Sequence, residues 1–551
     1  METLQRTANA GSVSTGYDIE NSCRFDNTNT SIPDSLHFTL GTPTDAKIFT
    51  LSWWAKLSVN ESLESGTSND MILVGAQESG GYGESICMTR NSAGDAAANF
   101  KLKWIEESVT NTNTTARQFR DQSAWYHFMF ITDTTNGTAG DRQRFYVNGE
   151  RVSFTGYNYS EDATPRSFNS GVHRIGSGGV SNSQNNRGYQ GYMAEMHFVD
   201  GTAQAVGAFG ETDSASGIWK PKKTSGITYG TNGWYLDFAA SGDMGNDVSG
   251  NGNDFTLIGI DATNQTTDTP TNNFATLNPV DVPLTSPTYS EGNLRVDGSG
   301  EPHSATFHIS SGKWYYEFKI TEFGGGYGYS SYAGLMSYKY PVQTQGTNGA
   351  MGVWAYKDPY APAGDPITMA FRQQGQSQGN YKNNNDGTGR NVTTAGQDMT
   401  MQEGGVLRLC IDYDNGGYWI GVWEGAPHAS DGSYVGPDGH GWVNTGASAA
   451  QSNPATGNYP VIGIGSAGTS SPQDGQDGSA SNLDLRDTVP GPVRIYQTQE
   501  ATSQTAKLNY GNPTYTWTGS SYTDANGYGK FQYEPPTGFY ALCSKNLAEF
   551  G

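Results

Sequence analysis

Hydrophobic residues recur at every second position through several short stretches of the chain. In residues 47–57 (KIFTLSWWAKL), Phe49, Leu51, Trp53, Ala55 and Leu57 share one side, with mostly polar residues opposite. Phe100, Leu102 and Trp104 alternate with Lys101, Lys103 and Ile105. Successive strand side chains point to opposite faces, so a period of two predicts half-buried strands around one core. Further strands are expected over 125–132, 142–147, 173–176 and 190–199, separated by Gly, Asn and Ser clusters as in a sandwich. Asn148-Gly149, between RFYV and ERVSF, marks a two-residue hairpin, because a type I′ turn needs positive φ at both positions.

A second strand-rich block starts near Gly292. Over 313–320 (KWYYEFKI), Trp314, Tyr316, Phe318 and Ile320 fall on one face, and 406–413 with 418–423 reads as a hairpin closed by Asp414-Asn415-Gly416-Gly417. Between the blocks, 201–233 is Gly-rich and irregular, with one short helix expected near 203–209, and 234–238 (WYLDF) returns as a strand. Residues 261–290 combine four prolines with Thr and Asn and show no periodicity, which reads as a linker. Residues 340–400 form a long polar stretch of the length found in functional or disordered loops. No fixed-period repeat and no heptads occur, which argues against a coiled-coil stalk.

The 551-residue length suggests about three or four structural units. Only 16% of residues are charged and 34% hydrophobic, yet 12% are aromatic, and disordered chains are poor in aromatics. The chain is therefore expected to be all-β and loop-rich. A net charge of -22, with no basic run among aromatics, argues against direct nucleic-acid binding. Cys23, Cys87, Cys410 and Cys543 lie far apart without CxxC spacing, unlike a disulfide scaffold. The first residues lack an apolar signal region, and no stretch is apolar over about 18 residues, so folding in a reducing cytoplasm without membrane insertion is expected. Asn60 and Asn113 head Asn-x-Ser/Thr triplets that are read as by-products of Asn/Thr-rich loops.

The ordered set FTLSWWAKLS, FKLKWIEE, AWYHFMFITDT, RFYVNGERV, HRIGSG and GYMAEMHFVDG resembles a laminin-G/pentraxin-type concanavalin-like domain over 20–201. GKWYYEFKI, LRLCIDYDNGGYWIGVWEG, YPVIGIGS and KLNYG resemble a SPRY domain over about 292–511. The stretches FGETDSASGIWKPKKTSGITYGTNGWYLDF, DVSGNGNDFTLIGI, DTPTNNFATLNP, SEGNL and YEPPTGFYALCSKNL resemble virion structural proteins of marine tailed bacteriophages, which combine the same two domain types. This resemblance implies two antiparallel β-sandwiches. The expected organisation is an N-terminal arm (1–19), a concanavalin-like sandwich with a trailing Gly-rich segment (20–260), a linker (261–290), a SPRY-like sandwich (291–511) and a C-terminal extension (512–551).

Concanavalin-like folds also carry glucanases with an E-x-D-x-x-E strand, and that motif is absent. Glu195 with Asp200, and Glu317 with Glu322, are the nearest acid pairs; Glu195 and Asp200, an odd number apart, point to opposite strand faces. The eight histidines (His37, His127, His173, His197, His303, His308, His428 and His440) show no metal-site spacing, with His127 and His197 read as walls of the first sandwich. Gly324-Gly325-Gly326 reads as a turn, not a phosphate cradle. Asp247, Ser249 and Asn251 alternate like half of a Ca²⁺ loop, but Ile258 stands where a bidentate acid belongs, so an Asx-turn is favoured. Asp412 and Asp414 are read as turn residues.

Aromatic loops are the remaining candidates. Partner binding in SPRY domains uses variable loops at one edge, which points to Tyr327, Tyr329 and Tyr332 in GGGYGYSSYAG and to Trp354, Tyr356 and Tyr360 in VWAYKDPYAP. The resemblance implies a non-enzymatic protein of the virion surface, assembled in the host cytoplasm and bound to capsid, portal or tail proteins. Its function is expected to be fibre-type attachment to host-surface glycan or protein, as a homo-oligomer and by analogy a trimer. Capsid or tail decoration is the alternative, and polysaccharide depolymerisation the weaker one. No cofactor is expected beyond the Ca²⁺ reading.

Overall fold

Strand alternation is realised at the centre of the first unit. The structure is a computed structural model. It describes residues 16–27, 34–58, 70–77, 83–89, 100–106, 111–165, 168, 171–177, 188–280, 288–297, 302–323, 330–338, 368–374, 378–383, 389–391, 404–421, 454–456, 491–499 and 504–551. The chain divides into two compact units, residues 1–273 with 290–293, and residues 274–289 with 294–551. Two units stand where length suggested more, because the irregular segments pack onto the sandwiches.

In the first unit Ile48–Leu57 lies between Trp125–Asp133 and Gly191–Asp200, antiparallel to both. The sheet continues outward through Gln143–Val147 on one side and Ser22–Phe25 on the other. The facing sheet runs Phe154–Gly156, Asn111–Thr115, Lys101–Glu106, Gly83–Thr89, Asp70–Gln77, Val172–Ile175, Ser35–Thr39, Thr256–Ile258. Phe49, Leu51, Trp53, Ala55 and Leu57 enter one core with Phe100, Leu102 and Trp104, as their alternation predicts. Each large apolar side chain buried there contributes about 1.5–3 kcal/mol. Asn148 and Gly149 take φ 48° and 81° in the expected two-residue turn. Trp219 lies so close to Gly149 that a Cβ there would sit 2.4 Å from its ring. The four cysteines are buried free thiols.

The opposite face departs from the half-buried expectation. Thr50, Ser52, Trp54 and Lys56 are all buried. Residues 201–235 cover part of that face, where Phe209 packs on Met129, Ile131 and Val199; a 3₁₀ turn at Val206–Ala208 stands where the short helix was expected. The first half of the 261–290 stretch is likewise built in. Asp268 is fully buried and paired with Lys56 at 2.8 Å, and Ser22 Oγ donates to its carbonyl. Lacking apolar periodicity, this segment is held by polar side chains instead. The unit boundary falls between Asn273 and Phe274, inside that stretch.

The second unit repeats the plan. One sheet carries Arg295–Asp297, Gln504–Asn509, Lys313–Phe323, Val406–Asp412 and Gly417–Gly421 in that order, and the other Pro302–Ile309, Val493–Gln499, Ser330–Ser337, Thr368–Gln374, Gln378–Asn383 and Gly389–Asn391. The hairpin over Asp412 and Gly417 forms as expected. Tyr315, on the face opposite Trp314 and Tyr316, is buried against Phe531, Phe539 and Cys543 of the C-terminal extension. Beside it Glu317, also fully buried, accepts hydrogen bonds from Tyr315 Oη, Asn509 Nδ2, Tyr515 Oη and the backbone N–H groups of Gln532 and Tyr533, at 2.9–3.1 Å. Burial raises its proton affinity, while those donors oppose the shift.

Glu317→Ala strands five donors in a dry site, so a loss of about 3–5 kcal/mol is expected. Chemical denaturation measures it, and limited proteolysis should cut first within residues 512–551. In the first unit burial raises the carboxyl of Asp34 to about 7. The folded state then holds a proton that the unfolded chain releases near pH 4, so Asp34 lowers stability as pH rises from about 4 to about 7. Relative to the parent, Asp34→Asn should therefore melt at progressively higher temperature across that window. A constant difference between the two melting curves contradicts this assignment.

Candidate functional site

The predicted aromatic residues fall mostly beyond the described part of the second unit. Tyr327, Tyr329, Trp354, Tyr356 and Tyr360 lie outside the described residues, as does Gly324-Gly325-Gly326. Tyr332 lies on Ser330–Ser337, with backbone partners Arg372 and Thr498. The strand residues that flank both segments are described. Residues 324–329 enter Ser330–Ser337 at its start, whereas 338–367 leave at its end. Eight residues of strand separate the stems by about 25 Å. Antiparallel pairing dictates this, since one strand's two connections leave from opposite ends.

Sequence reasoning missed Tyr338, at the stem of the second loop. It is 45% exposed, its ring centroid lies 4.3 Å from that of exposed His308, and its N–H donates to Pro492 O. The available signal was an aromatic residue just past a period-two strand, in Ser337-Tyr338-Lys339-Tyr340-Pro341. The C-terminal extension presents a second aromatic group. Trp517 packs on Tyr515 with Lys530 Nζ 5.6 Å from its ring, and Tyr522 is 36% exposed. Flat rings with polar edges suit stacking on sugars or on protein side chains.

The carboxylates have structural partners. Glu195 adopts φ 48° at a bulge that shifts register between Ala194 and His197. The extra residue sends Met196 and Phe198 into the core and His197 to the outer face, against unbroken alternation. Glu195 accepts hydrogen bonds from Tyr17 and Tyr235, each at 2.9 Å, and lies 3.6 Å from His197 Nε2. His197 stacks on Tyr235 and bonds Tyr229 Oη through Nδ1. Burial first, then the nearby Glu195 charge, holds the Tyr17 and Tyr235 hydroxyls well above the usual range, so they remain neutral donors. His127 bonds Ser52 Oγ, and burial lowers it to about 3, with His197 adding to the shift. Both histidines line the outer face of the first sheet under the covering segment.

Asp200 Oδ2 accepts the N–H groups of Thr44 and Asn232, which ties two loops together. Glu317 is consumed as described, while Glu322 is exposed beyond a register shift after Ile320. Neither candidate pair converges as paired acids must. Among the described residues no group of three or more His, Cys, Asp or Glu is arranged to hold a metal. The Asp247 loop forms as an Asx-turn. Oδ1 accepts from the N–H groups of Tyr235 and Ser249, and Oδ2 from Ser249 Oγ and Asn253 N. Asn251 turns its amide N–H toward the carbonyls of Gly230 and Gly233. Asp414 is a turn residue as expected and accepts from Gly312 N–H, whereas Asp412 is the buried last residue of Val406–Asp412, paired with Lys313 at 2.8 Å and accepting from Asn415 in the turn.

A family model described as the Concanavalin A-like lectin/glucanases superfamily matches residues 28–205, the core of the first sandwich. No curated protein matches the sequence. Among solved structures, a native heptameric SAP-like pentraxin from Limulus polyphemus is similar at 14% identity and TM-score 0.28, covering 45% of this chain and 98% of that one. The TRIM65 PSpry domain is similar at 12% identity and TM-score 0.22, covering 42% and 89%. The SPRY domain of human HERC1 is similar at 10% identity and TM-score 0.22, covering 42% and 96%.

Asp247→Asn removes acceptor capacity from a loop held by four hydrogen bonds and should lower stability by about 1–3 kcal/mol. Denaturation of parent and variant should give the same difference in excess Ca²⁺ and in chelator. A difference that grows with Ca²⁺ would instead make Asp247 a ligand.

Proposed function

We propose that this chain is a non-enzymatic, surface-presenting component of a bacteriophage virion, a fibre-type attachment protein whose loops bind glycan or protein on the host surface. One observation carries the presenting role. One sheet face of each unit is covered by the chain itself and Glu195, Asp200 and Glu317 hold internal partners, whereas aromatic rings stand exposed beside Ser330–Ser337 (Tyr338) and on the C-terminal extension (Tyr522). The virion assignment rests on the sequence resemblance of the intervening segments. The charge of -22 disfavours contact with packaged DNA. Capsid, portal or tail proteins are the proposed neighbours, and a closed homo-oligomer, a trimer by analogy with fibres, would multiply weak loop sites through avidity.

Decoration of the capsid or tail is the second reading. It is favoured by the extra layer on one sheet of each unit, which stiffens a sandwich that needs no ligand.

The test is adsorption of assembled particles. Three sets of Ala replacements probe the separated surfaces: Tyr338 with His308; Tyr327, Tyr329 and Tyr332; Trp354, Tyr356 and Tyr360. At least one set should weaken adsorption about tenfold, equivalent to ~1.4 kcal/mol, with assembly unchanged. Particles lacking the protein that adsorb normally but lose mechanical stability would leave the decoration reading standing. Release of reducing sugar, abolished by Glu195→Gln or Glu317→Gln, would make the protein a depolymerase.

A further inference from the structure

The segment that closes the first unit ends on an unusual arrangement around Lys56. Its Nζ lies 2.8 Å from Asp268 Oδ2 and 2.7 Å from Asn273 Oδ1. Lys56 is 1% exposed and Asp268 0%. Trp125 Nε1 donates to the other oxygen of Asp268 at 3.0 Å, and the Tyr192 ring centroid lies 5.5 Å from the amine. Asn273 Nδ2 donates to Ser123 O at 2.7 Å, which fixes the amide so that its carbonyl meets the amine. A buried ion pair needs only Lys56 and Asp268. The third group supplies an electrophilic carbon one bond beyond the atom that the amine already touches.

We propose that Lys56 and Asn273 join in an intramolecular isopeptide bond, with Asp268 carrying the protons. Dry surroundings disfavour a charged amine, so the neutral form of Lys56 becomes accessible. Burial correspondingly weakens the hold of Lys56 on its proton. Asp268 takes one proton from the ammonium, and the freed lone pair attacks Cγ of Asn273. The Nζ–Cγ bond forms and the Cγ–Nδ2 bond breaks. The second proton passes from Nζ through Asp268 to Nδ2, which departs as ammonia. Asp268 then gives its remaining proton to that ammonia, so an ammonium ion leaves and the carboxylate is restored. No oxidant, reductant or cofactor enters the balance. The bond spans a sequence separation of 217 residues and ties the central strand to the segment that covers it. Like a disulfide across a long loop, it restricts the unfolded chain and resists shear.

Mass spectrometry of the purified full chain tests this directly. After denaturation and digestion, a branched peptide joining the Lys56 and Asn273 segments is expected, lighter than its two parts by one ammonia. Lys56→Arg, which keeps the charge but removes the nucleophile, should abolish it, as should Asp268→Asn. Recovery of both residues unmodified after prolonged incubation of the folded parent overturns the proposal. So does a branched peptide lighter by one water and mapped to Asp268. The parent protein alone decides between these results even where a variant fails to fold.

Discussion

An ionisable side chain buried on the outer face of a central strand, answered by residues far along the chain, governs how both units are completed. In the first unit it is Lys56, met by Asp268 and Asn273; in the second it is Glu317, met by Asn509, Tyr515, Gln532 and Tyr533. An uncompensated charge there would cost several kcal/mol, so the covering segment has one acceptable seat. Hydrophobic contacts such as Phe209 on Val199 and Phe531 against Tyr315 add stability, but they are less directional. The anchors thus set register, and the aromatic contacts supply much of the free energy.

This construction bears on what each unit can offer a partner. A sandwich with a bare polar sheet face could bind along that face, as an open lectin-like surface would. Here one sheet of each unit is roofed by its own chain, and the acids that alternation put near those faces hold backbone and tyrosine groups. The tyrosine rings exposed among the described residues stand beside Ser330–Ser337 and on the C-terminal extension. Residues 324–329 and 338–367 connect to opposite ends of Ser330–Ser337.

Local backbone detail also carries weight. One inserted residue at Glu195 reverses which side chains of Gly191–Asp200 face the core, moving His197 beneath Phe209 and Tyr229. Without the bulge Met196 would be turned outward and Glu195 and His197 would enter an apolar core. The bare Gly149 surface lets Trp219 descend onto the hairpin and stack near His127. Such features explain why a glycine-rich, weakly hydrophobic chain still yields a dense structure.

Much of the fold was legible in the sequence. Period-two runs identified the central strands and their inward faces, from Phe49–Leu57 to Trp314–Ile320, because a strand that buries one side must alternate. Asn148-Gly149 identified its turn because few residue pairs accept positive φ twice. The Asx-turn at Asp247 was legible for a similarly local reason. The candidate site was only partly legible: the Gly- and Pro-flanked tyrosines could be named, but Tyr338 and the opposite placement of the loop stems could not. Burial of Thr50, Ser52, Lys56 and Glu317 was equally invisible, as was incorporation of the Pro/Thr/Asn segment around Asp268. Alternation reports what one face of a strand buries. It carries no record of the polar partners that a distant stretch of chain brings to the other face, and only tertiary structure decides that.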